Sequence, residues 1–208
     1  MAEQFDLFSN VDETPEETTQ SPRVLYFDLE TQKSAEDVGG WSNSHLMKLA
    51  VGVVWDSHEK RHFTYLEQDA AKLAEKLQSA DLVVGFNVIG FDYAVLQPYS
   101  PCDLQEIPTF DMLMYVHKKL GHRLSLNGIA QATLNAKKSA DGLISLQWYK
   151  EGKMDKIVEY CIQDVEITRD VFLHGVEKGH LLYDSRAKGR QRMDVAWDIA
   201  QLIKSAAG

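Results

Sequence analysis

Cysteine is scarce: Cys102 and Cys161 are the only two in 208 residues. That excludes a disulfide framework and a thiolate metal site, and it suits a reducing compartment. Long apolar runs are also missing. No stretch reaches the roughly 20 residues that a membrane helix needs. Met1-Ala2-Glu3-Gln4 has neither the basic n-region nor the following apolar core of a secretory signal, so the expected location is cytoplasmic. The seven histidines show no ligand spacing, which excludes an imidazole-based metal centre. Basic residues are outnumbered, 22 against 31 acids, for a net charge of −9. That balance argues against a high-affinity duplex binder with a basic stripe. Hydrophobic residues at 44% and charged residues at 25% describe an ordinary soluble chain, long enough for one well-buried domain with a tail.

The acidity is unevenly spread. Residues 1–22 hold six acids and no Lys or Arg, so the remaining 25 acids face all 22 bases. Residues 9–22 are rich in acids, Thr, Ser and Pro with one aliphatic side chain, and cannot bury enough apolar surface to offset their ordering entropy. They read as a disordered linker. Ahead of it stands an apolar island, Gln4-Phe5-Asp6-Leu7-Phe8. The domain itself is expected over residues 23–208.

Along that domain, Val24–Thr31, Leu46–Trp55 and His62–Leu66 read as three strands with short links, an antiparallel meander. Gln68–Ser79 has helical spacing and Asp81–Asn87 is a compact strand. A turn over 87–92 leads to a helix from Phe91 to Gln97, stopped by Pro98. Thr109–Asp111 reads as a short strand before helices Met112–Leu120 and Leu126–Leu134. The longest periodic stretch is Met154–Val176, with Gly175 and Gly179 near its end. His180–Asp184 and Arg192–Trp197 read as a terminal hairpin, and Asp198–Ala207 as an amphipathic helix. The order predicts an α/β fold, three antiparallel strands plus parallel ones in a mixed sheet flanked by helices.

Chemistry concentrates in carboxylates. Asp28 and Glu30 sit two apart on a strand, so they share a face. Two anions beside an apolar core are costly unless protonated or neutralised, and a hard divalent ion with oxygen ligands would neutralise them. The alternative is a strand end whose acids face water. Asp92 follows another strand, and Asp164 shares a helical face with Tyr160, four residues earlier.

Taken in order, Phe27-Asp28-Leu29-Glu30-Thr31, then Asn87-Val88-Ile89-Gly90-Phe91-Asp92, then Tyr160-x-x-x-Asp164 resemble the three motifs of the DEDD 3′–5′ exonuclease superfamily. The tyrosine resembles its tyrosine branch, which includes the proofreading domains of family B DNA polymerases. Phe110-Asp111-Met112-Leu113 and Ser125-Leu126-Asn127-Gly128-Ile129-Ala130 are similar to that branch as well. The resemblance covers about residues 23–178.

It implies a ribonuclease-H-like fold and removal of nucleotides from a 3′ end by two Mg²⁺ ions, with Mn²⁺ as a substitute, about 3.5–4 Å apart. Asp28 would bridge both ions, Glu30 and Asp164 would complete one site, Asp92 would serve the other, and Tyr160 would orient the attacking water. Thr31, Trp41, Asn87 and Phe91 are the expected substrate contacts, with loop packing the other reading of Trp41 and the core that of Phe91. Lys137-Lys138 and Arg186, Lys188, Arg190 and Arg192 read as solvated basic turns within reach of phosphates.

DNA, in replication or repair, is the favoured substrate; RNA is the alternative, and a non-catalytic nucleic-acid or clamp-binding adaptor is a further one. Gln4, Leu7 and Phe8 resemble the peptide by which bacterial proteins dock on the sliding clamp, although Phe5 stands where that motif has leucine. The other reading of the island is packing against the domain.

Overall fold

The strand that carries Asp28 and Glu30 is the middle one of five. The computed structural model describes residues 21–136 and 143–206. The island with Gln4, Leu7 and Phe8, and the pair Lys137-Lys138, lie outside them. β1 (Val24–Thr31) is flanked on one side by β2 (Leu49–Asp56) and β3 (Arg61–Leu66), both antiparallel to their neighbours. On the other side lie β4 (Leu82–Gly85) and β5 (Thr109–Asp111), both parallel. The spatial order is β3-β2-β1-β4-β5, the mixed sheet that the element order predicts.

Pleating divides β1 between two cores. Val24 and Tyr26 face one, and Leu25, Phe27 and Leu29 the other. The second core is closed by α1 (Ala70–Gln78), through Leu73, Ala74 and Leu77, and by α2 (Tyr93–Leu96). Over the first core lie α3 (Met112–Leu120), α4 (Leu126–Leu134) and a further helix of 25 residues, Met154–Lys178. That long helix is α6; α5 (Leu143–Lys150) precedes it and packs on it.

Local signals set these boundaries. The Asp111 carboxylate accepts from the Leu113 and Met114 amides to open α3, and Gly121, in a left-handed conformation, closes it. Ser125 caps α4 through the Gly128 amide. Gly179, at φ 68°, ends α6 with its N–H on the Gly175 carbonyl.

Four expectations need correction. The strand expected from Leu46 begins at Leu49, after a 3-10 helical turn over Trp41–Leu46. The helix expected over Phe91–Gln97 begins as a π-helical turn, Val88–Asp92, ahead of α2. Helix α5 is additional. The terminal hairpin is β6 (His180–Ser185) with β7 (Gly189–Asp194), so its second strand starts three residues earlier than expected. Gly189 takes φ 64° and closes a tight turn there. Trp197 therefore leaves the strand and enters the first core, against Gly175 of α6. The chain's last described element is α7 (Ile199–Ala206).

Candidate active site

Asp28 and Glu30 have the parity of Val24 and Tyr26, so they project toward the face that α6 covers. Ile157, Cys161 and Val165 anchor α6 on that face. Asp164, next to Val165, therefore comes down at the C-terminal end of β1. One carboxylate oxygen each from Asp28, Glu30 and Asp164 lies within 4.8 Å of the others. Tyr160 stands one helical turn back, buried, with its ring edge-on to Trp148 of α5.

Asp92 reaches the same place from the other side of the sheet. β4 ends at Gly85, where a Cβ would come 2.2 Å from Val88 Cγ1 and 3.1 Å from the Phe27 carbonyl oxygen, so only glycine permits the turn. Asn87 follows in a left-handed conformation, φ 74°, and the π-helical turn then delivers Asp92. Asp111 fixes that turn from beneath. Its Oδ1 accepts from the Asn87 amide at 2.9 Å and its Oδ2 from the Ile89 amide at 3.1 Å. Asp92 is 3% exposed, and its Oδ1 has no hydrogen-bond partner. It is outside the group of three mutually close oxygens.

All four acids and Tyr160 line one cavity of about 620 Å³. Thr31, Trp41, Asn87 and Phe91 line it too. Trp41 is 73% exposed at the rim, its ring edge-on to Phe91 with centroids 5.7 Å apart. Thr31 is buried and its hydroxyl donates to the Lys33 carbonyl. Asn87 Oδ1 accepts from Arg123 Nη2 at 3.1 Å.

The electrostatics follow from crowding anions under a lid of protein. Burial, then Asp92, Asp164 and Glu30, push the Asp28 carboxyl well above the usual carboxylate range. Burial pushes Glu30 up to about 8, partly offset by a hydrogen bond from Ser145, with Asp164 and Asp92 adding to the rise. Burial likewise takes Asp92 to about 8. The Cys161 thiol, 3.4 Å from the Asp28 carbonyl oxygen and 3.8 Å from Asp28 Oδ2, is raised by burial and by the same acids. A hard divalent cation fits this donor set: it would relieve the repulsion, take oxygen ligands only, and give the orphaned Asp92 Oδ1 a role.

Ser145 was not legible beforehand. It is 1% exposed on α5, and its hydroxyl donates to Glu30 Oε2 at 2.5 Å. The one sequence signal is a lone serine in an otherwise apolar first turn, Leu-Ile-Ser-Leu, and its partner is 115 residues away.

Comparison with known proteins agrees with the fold. Residues 25–174 match the sequence family described as RNase_H_2, of the RNase_H superfamily. None of the curated proteins compared with this chain matches it. Among solved structures, the family B DNA polymerase from the hyperthermophilic archaeon Pyrobaculum calidifontis is similar with a TM-score of 0.57 over 76% of this chain, at 18% identity. The match spans 24% of the polymerase chain, and at that identity the likeness concerns the fold alone.

Proposed function

The chain belongs to the RNase_H superfamily, and from that premise we propose that it is a metal-dependent 3′–5′ exonuclease acting on single-stranded nucleic acid, DNA in the first instance. The observation that carries the proposal is the convergence of Asp28, Glu30 and Asp164 oxygens within 4.8 Å, in a cavity that Asp92 and Tyr160 share.

Asp28, Glu30 and Asp164 would hold one divalent ion, Mg²⁺ or Mn²⁺, and Asp92 would serve a second with Asp28. Bound, such ions supply Lewis-acid neutralisation of the phosphate and lower the pKa of water. The remaining work falls to the chain itself. The Tyr160 phenol orients the attacking water by hydrogen bonding, as a positioner. Trp41 and Phe91 offer aromatic surface for the terminal bases, each stack being worth about 1–3 kcal/mol. The backbone at Thr31 and the amide side chain of Asn87 border the terminal nucleotide and fix its register.

Degradation of 5′-labelled single-stranded DNA and RNA, run in parallel with Mg²⁺ or Mn²⁺, tests the reading. Stepwise shortening from the 3′ end is expected with wild type. Asp28→Ala/Asp164→Ala should abolish it while circular dichroism remains native. Equal rates for wild type and the double variant would refute the assigned site, and the relative rates on the two strands identify the sugar.

A further inference from the structure

Two segments of this acidic chain carry an excess of positive charge, and one of them reaches the cavity through Arg123. Residues 117–123 and 180–194 together hold seven Lys and Arg against two acids, a balance of +5 in a chain of −9. The two segments are joined in space. The His122 ring lies edge-on to Tyr183 with centroids 6.4 Å apart. Arg190 Nη1 donates to the Ala132 carbonyl of α4 at 3.1 Å. Asp194 of β7 is held below the usual carboxylate range chiefly by Arg192, with His180 and Lys119 of α3 contributing.

The face starts at the site itself. Arg123 donates to Asn87 Oδ1, and Asn87 borders the cavity. The two acids in the patch are already engaged, Asp184 by Arg190 and Asp194 by Arg192. Among the described residues no ion pair involves Lys118, Lys119, Arg186 or Lys188, and all four are exposed. The C-terminus of α3 accounts for the first two lysines by the helix dipole. It does not account for Arg186 and Lys188, which crowd the turn between β6 and β7, where like charges repel. Both strands of that hairpin also lie beyond the family match, which ends at residue 174. Unneutralised cations continuous with a 3′-end site make a track for an anionic chain.

We propose that this face binds the sugar-phosphate backbone of the substrate strand upstream of its 3′ end, with Arg123 passing the strand from Asn87 to Lys118, Lys119, Arg186 and Lys188. The assignment rests on the exonuclease reading for its polarity, and it explains how an acidic protein holds a polyanion. Arg190 and Arg192, occupied by their aspartates, shape the hairpin rather than grip the strand.

Binding of a labelled single-stranded DNA of roughly 20 nucleotides to the full-length protein, in chelator so that nothing is cleaved, provides the test; each lost phosphate contact should flatten the slope of log K against log salt by about 0.7. For Lys118→Ala/Lys119→Ala/Arg186→Ala/Lys188→Ala the slope should flatten by up to about 3, and affinity at moderate salt should drop at least about tenfold. Lys60→Ala/Lys72→Ala, which removes one cation from the β2–β3 turn and one from α1, controls for loss of charge and should leave the slope in place. An unchanged slope and affinity in the quadruple variant, an equal loss in the control, or no binding by wild type would each overturn the assignment. Binding that behaves as expected, without any shortening of the strand when Mg²⁺ or Mn²⁺ is restored, would instead sink the exonuclease reading and leave the track standing.

Discussion

Glu30 can hold a metal only while it is ionised, and its surroundings oppose ionisation. Burial is the largest influence and takes the carboxyl to about 8; the Ser145 hydroxyl, 2.5 Å from Oε2, is the chief restraint on that rise. Removing the hydroxyl leaves the anion with less support, so the carboxyl titrates at still higher pH. Ser145→Ala should therefore weaken Mn²⁺ binding by about 10- to 100-fold, the range for partners that orient a ligand. The acid limb of the pH–rate profile should move to higher pH, and Ser145→Thr should restore both. Isothermal titration with Mn²⁺ and rates from pH 5 to 9 check this; an unshifted limb with unaltered affinity would make Ser145 packing only. The parity that sends Asp28 and Glu30 to one face was legible in β1 by itself, because a strand alternates whatever surrounds it. Ser145 and Cys161 were not. Their significance comes from distance to Glu30 and Asp28, and neither spacing nor residue type encodes a contact made across more than a hundred residues.

At the scale of elements, the site depends on how the ends of β1, β4 and β5 are stitched together. Asp111 closes β5 and serves two neighbours at once: it caps α3 through the Leu113 and Met114 amides and holds the Asn87 and Ile89 amides of the turn that presents Asp92. Asp111→Ala removes a cap worth about 1 kcal/mol and leaves two turn amides without their acceptor, each costing about 1–3 kcal/mol where water cannot replace it. A loss of at least about 2 kcal/mol is expected in urea unfolding, with weakened metal binding in the fraction that stays folded. A loss within about 0.5 kcal/mol would show that the turn holds itself. Caps such as Asp111 and Ser125 are short-range signals, which is why α3 and α4 were predicted with the bounds they have. Helix α5 carries no comparable signal. Its eight residues, Leu-Ile-Ser-Leu-Gln-Trp-Tyr-Lys, have apolar side chains on most sides, and its position is set by packing against α6 and β1. The π-helical turn escaped for a related reason: its extra residue is imposed by the Asp111 clamp rather than by local propensity.

Over the whole molecule, the segment after α6 is bound into the same core as the residues that match the family. Trp197 is 4% exposed, stacks on Phe172 of α6 at 5.6 Å, and meets Phe110 and Tyr115 edge-on at 5.1 and 5.4 Å. It reaches that position because Gly175 has no side chain; a Cβ there would come 2.3 Å from the indole. The hairpin that carries Arg186 and Lys188 is thus held from behind by an aromatic cluster spanning α3, β5 and α6. Two substitutions should act through this one contact. Trp197→Ala empties a large buried volume and should cost about 3–5 kcal/mol. Gly175→Ala improves helix propensity by about 1 kcal/mol yet forces the indole aside, and overpacking of that kind costs about 1–3 kcal/mol or more. Because both disturb the same contact, the double variant should lose clearly less than the sum of the singles. Urea denaturation of the four proteins checks the cycle. Strict additivity, or a Gly175→Ala protein more stable than wild type, would mean that Trp197 merely lies on α6, and the basic hairpin would then have to be anchored through the packing of β6 on α4 and α6.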